Sequence, residues 1–262
     1  MLDFDQLVRV PFFIVIIDIM IIIVGLILGS FFNVVAIRVL EGDSIIFPPS
    51  RCPHCQKRLS LIDLIPLCSY FFLRGRCRHC RAPISMFYPL GEAVSACAFY
   101  LVYKQIGLEA ELAVGWVLCA MLVLAALMDL RAKLILDVLT IPCLLLLTLM
   151  RIWIGEHSFW FYLTGGLSGF LLLFALAWVS RGGMGGGDIK LYAAIGVALG
   201  PWLTLLSLIL SSFFGAVIGG LLMITGRIQR KQPVPFAPFI AAGTLIAYLY
   251  GFDLWLWYRS VW

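Results

Sequence analysis

The 262-residue chain is 63% hydrophobic and only 13% charged, with 19 Lys+Arg against 14 Asp+Glu and a formal net charge of +5. Soluble domains carry roughly 45–50% apolar and about 25% charged residues, so this composition excludes a soluble globular enzyme, a disordered chain and a disulfide-stapled secreted domain. The apolar runs are continuous rather than alternating, which argues against a transmembrane β-barrel and for an all-α polytopic membrane protein.

In chain order, the N-terminus carries Asp3 and Asp5 where a cleavable signal would be basic, so the first apolar run is expected to stay as a span. A helical span needs about 20 apolar residues. The sequence predicts eight, at 14–37, 86–104, 112–130, 134–153, 159–180, 188–200, 203–224 and 236–257. The sixth is short, so it is expected inside the bundle, ending at Gly200-Pro201. Eight spans put both termini on one side. The 19 basic residues then divide as 15 on the opposite face against four on the terminal face, a positive-inside pattern. The stretch Arg38 to Arg81, with eight basic residues and five of the eight cysteines, is accordingly cytoplasmic. A basic loop of this kind is attracted to anionic lipid, which makes the bilayer itself an expected partner. No nucleic-acid partner and no internal repeat are expected. The organisation predicted is 1–37 as a first transmembrane segment, 38–85 as a cytoplasmic tetra-cysteine domain, and 86–262 as a seven-helix membrane core.

The loop contains Cys52-Pro-His-Cys55 and Cys77-Arg-His-Cys80, with 21 residues between the pairs. Each pair makes a knuckle that presents two thiolates, and two knuckles complete a tetrahedral four-sulfur shell suited to zinc. Disulfides are disfavoured in a reducing compartment. His54 and His79 are alternative ligands, while Cys68, Cys97, Cys119 and Cys143 read as packing residues. Four protein ligands leave no open position, so the metal is expected to be structural.

Ionisable residues in or at the ends of spans mark function by default. Five stand out: Asp18, Glu92, Asp129, Asp137 and Asp188. Asp129 closes the third span and Asp188 opens the sixth, both at the cytoplasmic edge. Two like charges at 4 Å repel by about 4 kcal/mol at an effective dielectric of 20, so a meeting pair holds one shared proton. Such a pair performs aspartic-protease chemistry. Gly182, Gly183, Gly185, Gly186 and Gly187 around Asp188 allow a substrate chain to approach closely. Taken singly, Asp188 reads equally as a helix cap, and Asp129 as a span-end residue paired with Arg131 or Lys133. Asp137 caps, orients or faces the headgroups; Asp18 reads as interfacial.

These features in order resemble the bacterial type IV prepilin peptidases, or leader peptidase/N-methyltransferases. The resemblance is carried by Gly29-Ser-Phe-Phe-Asn-Val-Val, the two Cys-x-x-Cys pairs, Asp63-Leu-Ile-Pro-Leu-Cys-Ser-Tyr, Tyr88-Pro with Glu92, Asp129 with Asp137, Met184-Gly-Gly-Gly-Asp-Ile-Lys-Leu and Pro235-Phe-Ala-Pro-Phe. One departure is Leu136, where the family usually has proline. The resemblance implies an aspartic endopeptidase of the bacterial inner membrane. Its substrates would be type IV prepilins or type II secretion pseudopilins, cut at the cytoplasmic face and then N-methylated with S-adenosylmethionine. It implies Asp129 and Asp188 as the catalytic pair, Cys52, Cys55, Cys77 and Cys80 as zinc ligands, and Gly29, Asn33 and Glu92 as contributors to methyl transfer. The alternative is a transporter or channel with a cytoplasmic zinc-ribbon module.

Overall fold

The computed structural model describes residues 11–180, 185–226 and 234–261. Arg181, Gly182, Gly183 and Met184 of the glycine run lie outside the described residues, as do Arg9, Arg227, Arg230 and Lys231 of the charge pattern. The helices are α1 (Pro11–Glu41), α2 (Cys68–Phe72), α3 (Phe87–Ile106), α4 (Glu111–Ala132), α5 (Asp137–Trp153), α6 (Phe159–Val179), α7 (Gly186–Leu199), α8 (Pro201–Ile224) and α9 (Ala237–Val261), with a 3-10 turn at Leu61–Leu64. Among the described residues there is no strand, only two isolated bridges in the cysteine loop.

The protein is a multi-pass helical membrane protein, and a helix stands at each of the eight expected spans. Five of them, α1, α4, α6, α8 and α9, are long and apolar enough to cross a bilayer. The other three are not, so length and composition do not establish the expected count of eight. α5 and α7 have 17 and 14 residues. α3 has 20, but Glu92, Ser95, Lys104 and Gln105 dilute its apolar character.

The chain forms two compact units, Met1–Lys104 and Gln105–Trp262. In the first, α1 and α3 pack antiparallel. A Cβ on Gly25 would press on Ala96 Cα at 2.7 Å, and one on Gly29 would press on Glu92 Cα at 2.8 Å. Small residues let two helix backbones meet where lipid supplies no hydrophobic drive. At one end Lys104 pairs with Asp18 at 2.8 Å and lies 5.5 and 5.7 Å from the Tyr100 and Tyr103 ring centroids.

In the second unit α7 is the buried centre, packed against α5, α6 and α8. At about 1.5 Å per residue it is only some 21 Å long, and burial by its neighbours replaces the lipid contact it is too short to make. Gly165, Gly166 and Gly169 of α6 meet Gly196, Val197 and Tyr192 of α7 so closely that any Cβ would collide. The C-terminal end and the middle of α7 are satisfied by polar groups. The buried Arg151 of α5 donates to the Ala198 carbonyl and, through two nitrogens, to Glu111 at 2.6 and 2.8 Å. Tyr248 of α9 donates to the same carboxylate at 2.6 Å. In the middle, the fully buried Tyr192 hydroxyl donates to Ser211 at 3.1 Å, and Ser207 joins Thr244 at 2.8 Å. Buried polar groups of this kind are stable only when paired.

Candidate active site and metal centre

The cysteine loop is built from two knuckles of the same design: Arg51, Cys52, His54 and Cys55 recur as Arg76, Cys77, His79 and Cys80. Each is closed by its own backbone. Cys52 N–H reaches Lys57 O at 3.0 Å and Gln56 N–H reaches Cys52 O at 2.9 Å; Cys77 N–H reaches Ala82 O at 2.8 Å and Arg81 N–H reaches Cys77 O at 3.0 Å. The residue after each second cysteine turns left-handed, Gln56 at φ 56° and Arg81 at φ 61°. This short local repeat, against the expectation of none, is written in the sequence as Arg-Cys-x-His-Cys twice over.

All four ligand atoms lie within 4.8 Å of one another, and Cys52 Sγ is 3.8 Å from Cys80 Sγ. A tetrahedron with zinc–sulfur bonds of about 2.3 Å has an edge of about 3.8 Å. A disulfide would need about 2.05 Å, and all eight cysteines are free. His54 and His79 are exposed and stand outside the group. The Cys77 thiol is pulled down to about 6 by the Cys80 and His79 backbone amides and by the neighbouring thiols, while Cys80, against the pull of the Ala82 amide, is pushed up to about 11 by burial and those thiols, so the cluster titrates as a unit. The four residues therefore fit a structural zinc ion.

Between the knuckles, Asp63 accepts from the Ser60 hydroxyl at 2.6 Å, the Ser60 amide at 3.1 Å and Arg78 at 2.7 Å. Those bonds, led by the Ser60 hydroxyl, hold its carboxyl below the usual carboxylate range. Asp63 thereby ties the 3-10 turn to the second knuckle, a role its sequence position did not reveal.

Asp129 lies one turn from the end of α4, which closes at Lys133 in a left-handed conformation. It is 7% exposed, and its Oδ2 accepts the Ala237 amide at 2.7 Å. Its hydrogen bond thus comes from the first turn of α9. The Pro235-Phe-Ala-Pro-Phe stretch explains why. Ala237 is the first residue of α9, so its N–H has no acceptor within the helix and, with Phe236 beside it, faces the carboxylate. Sequence alone assigns this stretch no role; Pro238 at the second position of α9, marking a helix start with free amides, is the signal that could have found it.

Asp188 is the third residue of α7, its amide on Gly185 O at 3.2 Å. Asp129 and Asp188 are close enough for their carboxylates to act electrostatically on each other. Gly187 sets that approach: a Cβ there would lie 2.7 Å from the Ile135 carbonyl oxygen and 2.8 Å from Ile135 Cβ. Gly187→Ala is therefore expected to push the start of α7 off the α4–α5 connection and carry Asp188 with it. A displacement near 1 Å lowers a rate by about 100-fold. The turnover of Gly187→Ala, compared with wild type at equal amounts of inserted protein, checks this.

Asp137 does not join the pair. It opens α5, with Leu136 as an extended N-cap in place of the family's proline, and it takes Lys190 of α7 at 2.6 Å through both oxygens. Asp18 is held by Lys104, as above.

Gly29, Asn33 and Glu92 come together on the α1–α3 face of the first unit. Asn33 is fully buried and donates to Gly29 O and Tyr88 O, both at 3.1 Å. Its Oδ1 has no hydrogen-bond partner among the described residues. A Cβ on Gly91 would sit 2.7 Å from that oxygen. Glu92 Oε2 accepts the Leu67 amide from the middle of the cysteine loop at 2.8 Å.

Two family models match the chain: the bacterial peptidase A24 N-terminal domain over residues 23–106 and the type IV leader peptidase family over residues 116–220. Relatives named prepilin leader peptidase/N-methyltransferase include one from Bacillus subtilis, 40% identical over 87% of this chain and 92% of its own. Another, from Aeromonas hydrophila, is 37% identical over 83% and 77%, and one from Burkholderia pseudomallei is 33% identical over 90% and 86%. No solved structure matches the chain. The transporter reading finds no support among them. Identity at this level across nearly the whole of both sequences means that the chain belongs to the type IV leader peptidase family.

Proposed function

We propose that the chain removes the basic leader from type IV prepilins, or from pseudopilins of type II secretion, at the cytoplasmic face of the bacterial inner membrane, and then N-methylates the new N-terminus. The observation that carries the peptidase half is the contact of α4, which ends just after Asp129, with α7, which carries Asp188 in its first turn, the Ala237 amide fixing one Asp129 oxygen as an acceptor. In the reaction, the ionised member of the pair takes a proton from a water whose oxygen bonds to the scissile carbonyl carbon. The protonated member gives its proton to the carbonyl oxygen. Collapse of the resulting gem-diol breaks the C–N bond, and the leaving amine takes a proton from the pair. Cleavage is then expected to show a bell-shaped pH profile that belongs to the pair rather than to either residue.

For methyl transfer we assign the α1–α3 cluster. S-adenosylmethionine supplies an electrophilic methyl group when bound. The buried Asn33 Oδ1, still unspent, fits a ligand with a polar hydrogen to offer, and Gly29 and Gly91 keep side chains out of that region. Glu92 would hold the free amine and take its proton as the N–C bond forms. The zinc ion would be structural, holding the 38–85 loop so that Leu67 stays on Glu92.

The test uses full-length protein in membranes with a prepilin and S-adenosylmethionine, followed by mass spectrometry of the mature pilin. Wild type should yield a shortened, methylated N-terminus. Glu92→Gln should still shorten the prepilin while methylation falls by roughly 100-fold or more, the loss usual for a positioned acid–base group. Normal methylation by that variant would remove Glu92 from the assignment. Failure of wild type to cut any prepilin would remove the peptidase reading itself.

A further inference from the structure

The segment between the two knuckles is rich in large apolar residues and leaves several of them bare. Leu61 is 86% and Phe72 is 87% exposed, and Ile62, Ile65 and Phe71 are exposed too. The 3-10 turn that carries the first of these packs against α2, which carries the phenylalanines. Exposed apolar clusters rimmed by charge mark an interaction surface.

Its position says what covers it. Because α1 and α3 run antiparallel, the loop leaves and re-enters at the same end of that hairpin. The middle of the segment is also tied down. Leu67 N–H donates to Glu92, the sixth residue of α3, and Tyr70 hydroxyl donates to Met86 Sδ at 2.8 Å, at the foot of the same helix. Six residues into a helix is about 8 Å along its axis. The bare residues on either side of Leu67 are therefore held alongside the first turns of α3, not lifted away from it.

Charge points the same way. Arg51, Lys57, Arg58, Arg74, Arg76 and Arg81 are all exposed, with no carboxylate partner among the described residues, and the loop offers only Glu41, Asp43 and Asp63 against them. A cavity of about 370 Å³ beside the first knuckle combines both chemistries: Arg58, Ser50 and Ser60 line it together with Leu61 and Leu64.

We infer that the Leu61–Phe72 segment is an interfacial foot that lies in the surface of the bilayer crossed by the protein's own helices. Its aliphatic and phenyl groups enter the boundary between headgroups and acyl chains, and Arg58 receives the phosphate of an anionic phospholipid at the mouth of the cavity. Interfacial segments bind by this combination of apolar insertion and attraction to anionic headgroups. The inference goes beyond the enzymatic reading, and its test needs no catalysis.

The experiment places a benzophenone amino acid at position 61 or 72 of the full-length protein, in bilayers of phosphatidylglycerol with phosphatidylcholine, and irradiates it. The same probe at position 174, exposed on α6, reports ordinary lipid contact. Phospholipid adducts are expected at 61 and 72 in yields comparable to 174. In the variant that also carries Arg58→Gln, the phosphatidylglycerol adducts at 61 should fall about five-fold, as a single near-surface arginine warrants. Phosphatidylcholine adducts and zinc stoichiometry should be unchanged. Excess inorganic phosphate should leave the yields unaltered. Absence of lipid adducts at 61 and 72 while 174 still labels would overturn the inference. So would adducts to added prepilin in their place, which would make this a substrate surface, and so would suppression by inorganic phosphate, which would make the cavity a free-phosphate site.

Discussion

Asp129→Asn and Asp188→Asn are each expected to abolish leader cleavage, with a loss on the order of 10⁴-fold or more, as for residues that act as one catalytic unit. The double variant should be hardly worse than either single one, because half a pair cannot carry out the proton exchange. Asparagine keeps the shape of both side chains. At position 129 its carbonyl can still accept the Ala237 amide, so the start of α9 should stay seated on α4. The effect should therefore appear in turnover, with insertion and resistance to proteolysis intact. Asp137→Asn is the informative contrast. Asp137 meets Lys190 across a half-exposed ion pair, and such pairs contribute about 0–1 kcal/mol. Cleavage by that variant should stay within about ten-fold of wild type. Side-by-side prepilin digestion in membranes checks all three; near-normal cutting by either member of the pair would end the assignment.

Cys52→Ser and Cys77→Ser are expected to reduce bound zinc from one ion per chain to none. Structural zinc supplies about 10–16 kcal/mol in small domains of this kind, far more than a loop with few buried side chains can replace. Cys52 and Cys77 are the two buried ligands, and each knuckle closes on its cysteine by only two backbone bonds. Without the metal, residues 42–86 should become open to protease. The consequence for activity follows from one hydrogen bond. Leu67, midway between the knuckles, donates to Glu92, so loss of the loop fold frees the carboxylate assigned to methyl transfer. Methylation should fall by roughly 10–100-fold, the range seen when a group that orients a functional ligand is lost. Leader removal, assigned to the other unit, should suffer less. Elemental analysis, limited proteolysis and mass spectrometry of the mature pilin read the three effects separately; full methylation by zinc-free protein would break the proposed link between the loop and Glu92.

Much of this was legible in the chain itself. Continuous apolar runs determine helices in a membrane, because a backbone in lipid must satisfy its own hydrogen bonds. Each expected span therefore met a helix within a few residues. The cysteine tetrad was legible because the spacing within each pair makes a knuckle by local geometry alone. Asp129 and Asp188 stood out because an unneeded carboxylate in or beside a span is expensive.

Other features were decided only by the tertiary structure. A hydropathy pattern does not say whether a short helix such as α7 crosses lipid or is buried by its neighbours, and here Gly165, Gly169 and Gly196 settle that through backbone contact. Nor can spacing reveal that Asp129, with Arg131 and Lys133 beside it in sequence, takes its hydrogen bond from Ala237, 108 residues away. Asp137, adjacent to Asp129 in every sequence-level argument, proved to belong to Lys190. The physical reason is common to all three. Periodicity and spacing report interactions within one helix or one turn, whereas an aspartate's partner is whichever donor the packing of separate helices brings to it.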